Sequence, residues 1–151
     1  MVRPWQFGCI LQGHVMGRRD QLPTDALVGI HVLVVDDDRD SRQLLKTVLE
    51  YCGALVTTVS TARDALKTLR RVTPDVVLSD IAMPKDDGYW LIGQIRLLGT
   101  NEGGGVPTIA ITAHGDEHGP HRTLGAGFEA HLRKPIDPWE LCRTVARAVR
   151  R

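Results

Sequence analysis

An α/β fold, a doubly wound five-stranded parallel sheet with helices on both faces, is what this sequence predicts, and three observations predict it. From Ile30 onward, short apolar runs rich in β-branched residues alternate with helical patterns, giving five βα units. Aromatic residues make up only 5% of the 151-residue chain, so the core is built from Val, Leu, Ile and Ala, as suits a buried parallel sheet. Successive parallel strands need crossover connections, nearly always right-handed, and helices supply them. With 42% hydrophobic and 25% charged residues, the composition is that of one compact domain with a real core.

Residues 1–28 show no period of 2 or 3.6 and contain Pro4, Gly8, Gly13, Gly17 and Pro23, so they read as an N-terminal tail or linker with a short helix near 22–28. The domain proper is then 29–151. The first unit is the run from His31 to Asp36, followed by Leu44, Leu45, Val48, Leu49 and Cys52 at helical spacing and Gly53 as the C′ stop. Ala54 to Val59 with Ala62, Ala65, Leu66 and Leu69 makes the second. Val76 to Asp80 with Trp90, Leu91, Gln94, Ile95 and Leu98 makes the third. Gly103-Gly104-Gly105 is neither a P-loop nor GxGxxG and reads as a flexible connection before the fourth strand, Ile109 to Thr112. Phe128 to Leu132 opens the fifth unit, whose helix starts where Asp137 stands at N-cap, Pro138 at N1 and Glu140 at N3.

Composition also narrows function. Nineteen Lys and Arg against 18 Asp and Glu leave +1, without the electrostatic footprint of a nucleic-acid partner. No apolar run approaches the roughly 18 residues of a membrane span, and Arg3 with the broken patch from Phe7 to Met16 is a poor signal peptide. Cys9, Cys52 and Cys142 are odd in number and far apart, which fits a reducing, cytoplasmic setting rather than disulfides or a zinc cluster.

In open parallel sheets ligands sit beyond the carboxyl ends of the strands, where the strand order reverses. Those ends carry Asp36 and Asp37, Asp80, Thr112 and Lys134. With strand order 2-1-3-4-5 the acids of strands one and three meet. Like charges about 4 Å apart repel by roughly 4 kcal/mol at an effective dielectric near 20, so a cation is called for, and hard oxygen ligands favour Mg2+. Each residue also has a plainer role. Asp38 or Asp40 can cap the first helix, Asp87-Gly88 can be a turn, Lys134 a solvated lysine and Thr112 a buried strand threonine.

Taken together and in order, Val34-Val35-Asp36-Asp37-Asp38 with Arg42, Asp80-Ile81-Ala82-Met83-Pro84 with Asp87-Gly88, Thr112-Ala113, Gly125-Ala126-Gly127 and Lys134-Pro135 resemble the receiver domain of two-component response regulators. The resemblance covers about residues 30–150 and implies a flavodoxin-like sheet. It implies that Asp80 is the phosphoacceptor, served by a histidine kinase or a histidine phosphotransfer protein. Asp37, Asp80 and the backbone carbonyl of Ala82 would hold Mg2+ directly, Asp36 through water, while Lys134 and Thr112 serve the phosphoryl oxygens. The family also carries a cis peptide at the position of Lys134-Pro135. Signalling through an unknown downstream protein and dimerisation on phosphorylation follow from the same resemblance.

His131 stands where many receivers have Tyr or Phe. Receivers of hybrid histidine kinases often carry His there, and the Gly-rich segment before strand four and Gly127 to Leu132 resemble that subgroup too, as Ala26 to Ile30 resembles its linker. Phosphorylation is expected to draw Thr112 inward and shift the face bearing His131, whose charge can change near neutral pH. Aspartyl phosphate lifetime in this family depends on the positions occupied here by Ala82 and His114. Ala82 cannot orient an attacking water, and His114 is large enough to shield it, so a long lifetime is expected. The chain ends at Arg151 directly after the fifth helix, so no output domain is expected.

Other chemistry fits less well. Asp36-x-Asp38 is similar to the nucleophile motif of haloacid-dehalogenase phosphatases, but Arg39 stands where that motif needs Thr or Val, and Asp80 and Lys134 are left unexplained. A phosphate-independent interaction module on the same fold would have no use for a complete acceptor set. His114, His118 and His121 with Asp116 and Glu117 sit among Gly115, Gly119 and Pro120, an ill-formed metal cage. The arginines at 143, 147, 150 and 151 favour the last helix's dipole more simply than they bind phosphate.

Overall fold

The computed structural model describes residues 24–113 and 119–150. Five strands, β1 (His31–Val35), β2 (Leu55–Val59), β3 (Val76–Asp80), β4 (Thr108–Thr112) and β5 (Ala130–Arg133), alternate with helices α1 (Arg39–Tyr51), α2 (Ala62–Arg71), α3 (Gly88–Leu97), α4 (Pro120–Ala126) and α5 (Pro138–Val149). All strand pairs are parallel, in the order β2-β1-β3-β4-β5. The switch point predicted between the first and third strands is therefore present.

Both faces of the sheet are covered, which is why the strands are near-continuous apolar runs. Val32, Val34, Val76, Leu78, Ile109 and Ile111 point toward α1 and α5, where Leu45, Leu49, Leu141 and Val145 meet them. Leu33, Val35 and Val77 point the other way, onto Ala65, Leu69, Leu91 and Ile95 of α2 and α3. Every residue of β3 and β4 is buried, whereas the edge strands β2 and β5 are mostly half-exposed.

Helix ends follow the capping residues. The Asp38 carboxylate accepts from Ser41 N, Thr61 Oγ1 from Asp64 N, Asp87 from Trp90 N, and Asp137 from Trp139 N. At the C′ position of α1, Gly53 has φ 101°, a conformation L residues rarely adopt.

Three local expectations are revised. Residues 24–29 form a turn rather than a helix, and Leu27, within the segment read as a tail, is fully buried, its N–H donating to the Cys52 carbonyl at 2.9 Å. Strand β5 begins at Ala130, not Phe128, because Phe128 drops into a small core with Ile81, Ile92 and Ala110. The glycine connection is packed rather than loose. It opens with a 3-10 turn at Thr100–Glu102, and Arg96 donates to the carbonyls of Gly104 and Val106 at 2.9 and 2.8 Å. A Cβ on Gly104 would lie 2.1 Å from the Leu98 carbonyl oxygen, so only glycine closes this turn.

Leu27→Ala is expected to cost about 2–4 kcal/mol, the ordinary effect of emptying a buried leucine site. Urea denaturation measures it, and a loss below about 0.5 kcal/mol would mean that the 24–30 segment is not packed as described.

Candidate functional site

Register places the site residues side by side. Val35 pairs with Ser79, Asp80 with Ile111 and Thr112 with Arg133, so the residues just beyond these pairs emerge at one end of the sheet. Asp36 and Asp37 leave β1, Asp80 closes β3, Thr112 closes β4 and Lys134 follows β5.

Carboxylate oxygens of Asp36, Asp37 and Asp80 lie within 4.8 Å of one another. Asp36 is wholly buried and Asp80 nearly so, whereas Asp37 is exposed. The Asp36 carboxylate is satisfied on both oxygens, by the Asp38 backbone N–H at 2.9 Å and by Lys134 Nζ at 3.2 Å. Lys134 Nζ also stands 3.5 Å from Asp80 Oδ2. Burial pushes the Asp80 carboxyl up to about 6, Lys134 opposes the rise, and the charges of Asp36 and Asp37 add to it. For Lys134, burial disfavours the ammonium, but Asp80 and Asp36 together outweigh it and raise its pKa above the ordinary lysine value. Lys134-Pro135 is a cis peptide, as the resemblance implied.

This set is chemically coherent. Three hard anionic donors around one point fit a small divalent cation such as Mg2+, which takes one or two carboxylates and keeps several waters. Lys134 stands closer to Asp36 than to Asp80, so of these two buried acids Asp80 is the less compensated. Thr112 is buried, and its Oγ1 lies 2.9 Å from His131 Nε2, a hydrogen bond whose direction the histidine tautomer decides.

Beyond β3 the chain makes a tight loop that is held from several sides. Ile81 O accepts from Met83 N at 3.1 Å and from Gly88 N at 2.9 Å. A Cβ on Gly88 would stand 2.6 Å from the Asp80 carbonyl oxygen, so the pair Asp87-Gly88 is more than a turn: Asp87 caps α3, and Gly88 lets that helix start against the acceptor strand. Arg63 on α2 ion-pairs with Asp86 at 2.6 Å while its guanidinium lies 4.8 Å from the Trp90 ring centroid. Ala82 is exposed on this loop.

Two contributors carried no separate signal in the sequence. Arg42, in sequence one exposed-type residue of the first helix, donates from Nη1 to the Asp36 carbonyl at 2.9 Å. Arg63 looked like any surface arginine of an amphipathic helix. Asp38 is engaged as the cap of α1, which leaves the phosphatase-like reading without its second acid. His114 and His118, with Gly115, Asp116 and Glu117, lie outside the described residues, so neither the shielding role of His114 nor the histidine cage is placed.

Comparison with known proteins finds consistent relatives. A family model described as the response regulator receiver domain matches residues 32–146. An uncharacterised 14.6 kDa protein of Leptolyngbya boryana is 45% identical over 119 residues, covering 79% of this chain and 89% of that protein. The sensor histidine kinase RcsC of Salmonella typhi is 36% identical over 115 residues, which are 76% of this chain but only 12% of the kinase. Among solved structures, the receiver domain of sensor histidine kinase PA1611 from Pseudomonas aeruginosa PAO1, described with a magnesium ion coordinated in its active site cleft, is 30% identical with a TM-score of 0.73. That match covers 81% of this chain and 98% of the other.

The raised carboxyl has a consequence for stability without divalent cations. An unfolded aspartate releases its proton near 3.8 and the folded Asp80 near 6, so the folded state holds the extra proton between those values. Asp80 therefore favours folding below about pH 4, and that contribution is lost as pH rises through about 6. Asp80→Asn should gain on the order of 1–2 kcal/mol relative to wild type between pH 4 and pH 8. Urea midpoints across that range test it, and a wild-type to variant difference independent of pH would show that Asp80 is not held in this state.

Proposed function

The chain belongs to the response regulator receiver domain family of two-component signal transduction, and from that premise we propose that Asp80 accepts a phosphoryl group from a histidine kinase or histidine phosphotransfer protein. The supporting observation is the position of Asp80 at the end of a central strand, within 4.8 Å of two further acids and 3.5 Å from the Lys134 ammonium. Nucleophilicity requires the ionised carboxylate, which an Asp80 pKa near 6 allows at neutral pH.

Asp36, Asp37, Asp80 and the Ala82 carbonyl would hold Mg2+. When bound, the ion supplies neutralising charge for the transferring phosphoryl oxygens. The rest is done by side chains of this chain. An Asp80 oxygen attacks phosphorus in line, and an O–P bond forms as the donor's N–P bond breaks. The departing imidazole nitrogen keeps the electron pair and takes up a proton. Lys134, already between Asp36 and Asp80, donates to a phosphoryl oxygen and offsets the added negative charge.

Thr112 and His131 form the proposed switch. The Thr112 hydroxyl is hydrogen-bonded to His131 at 2.9 Å, so moving its oxygen toward a phosphoryl group either draws the ring with it or breaks that bond. Either outcome shifts the populations of the β5 edge, a local charge event read out on the surface.

Incubation of the full chain with a small phosphodonor and Mg2+ should add one phosphoryl group to wild type by intact mass and none to Asp80→Asn. An adduct forming on Asp80→Asn at the wild-type rate rules out the assignment. In Ala82→Asn an amide is available to orient water, and dephosphorylation should be several-fold faster than in wild type. Decay after donor removal measures it, and equal rates would show that water positioning at residue 82 is not limiting.

A further inference from the structure

A second, oppositely charged site lies beside the acidic cluster. A cavity of about 440 Å³ opens at the carboxyl end of β2, between the start of α1 and α2, lined by Arg42, Lys67, Arg71 and Asp64 with the hydroxyl residues Thr58, Ser60 and Thr68. Three cations against one carboxylate make it basic in a chain that is otherwise near neutral. Its size is within the usual range for small-molecule sites, and it lies beside the edge strand β2, apart from the switch point between β1 and β3.

Two of its three cations are not spent on an ion pair. Among the described residues, Lys67 and Arg71 form no ion pair. They are four apart on α2, where like charges are mutually unfavourable by a few tenths of a kcal/mol in isolated helices, and an anion between them would relieve that. Arg42 is held by the Asp36 carbonyl at 2.9 Å, which fixes its guanidinium in place. Thr58, within β2, and Ser60, just beyond its end, both line the cavity.

The lining also restricts the ligand. Val59 is the one apolar residue in it, and no aromatic ring is present to stack a nucleobase. Recognition must come from charge and hydroxyl groups. We propose that this cavity binds a small, multiply charged phosphate compound without an aromatic base, of the class of diphosphates and sugar bisphosphates. The three cations pair with its phosphate oxygens, and Asp64 either accepts from a ligand hydroxyl or weakens binding of ligands that have none. Binding here does not depend on the acceptor assignment of Asp80, although Arg42 touches both sites.

The test uses the full chain, isotopically labelled, in buffer free of divalent cations and at low ionic strength, with inorganic pyrophosphate as probe. Without a cation the acidic cluster repels anions, so its own binding does not intrude. Saturable amide shifts are expected at residues 58–71 and around Arg42. Lys67→Gln with Arg71→Gln should bind roughly tenfold or more weakly, the loss expected for charged hydrogen bonds, and Asp64→Asn should bind pyrophosphate more tightly. Both variants change exposed side chains, and their amide spectra show directly whether the fold is kept. Shifts that do not saturate, shifts centred on Asp36, Asp80 and Lys134, or a double variant that binds like wild type would overturn the proposal.

Discussion

The site depends on one long reach: Lys134 leaves the end of β5, passes the end of β4, and places its ammonium 3.2 Å from Asp36 on β1 and 3.5 Å from Asp80 on β3. Asp36 is fully buried, and a buried carboxylate without partners costs several kcal/mol. The Asp38 N–H and Lys134 together offset that cost, while Asp80, farther from the lysine and flanked by two acids, is left undercompensated. That deficit disposes the cluster toward a divalent cation.

Around this centre, each neighbouring segment is fixed by a separate device. Gly88 allows α3 to begin against the Asp80 carbonyl, and Arg63 pins Asp86 of the same loop while lying over Trp90. Arg96 ties α3 to Gly104, Val106 and Gly127, joining the connection before β4 to the turn before β5. The two partners in the proposed switch, Thr112 and His131, therefore sit on strands whose approaches are anchored.

Local physics made most of the framework readable. Continuous apolar runs, buried on both faces, marked the central strands, and the caps at Asp38 and Asp137 with the stop at Gly53 set helix ends within a residue or two. Readings slipped where distant packing overrode local pattern. Phe128 belonged to a satellite core rather than to β5, Leu27 was buried against the end of α1, and the triple glycine was chosen for a close turn rather than for looseness.

The residue types of the site, their order and the strand ends that carry them were all determined by the sequence, because alternation of strand and helix forces carboxyl-terminal loops to one end of the sheet. Only the tertiary structure decided which oxygen meets which donor: that Asp36 rather than Asp80 takes the closer Lys134 contact, that Thr112 is bonded to His131, and that Arg42, Lys67 and Arg71 line one cavity. The physical reason is range. Caps and periodicity act within a few residues, whereas Lys134 and Asp36 are 98 residues apart and meet only through the order in which the strands pair.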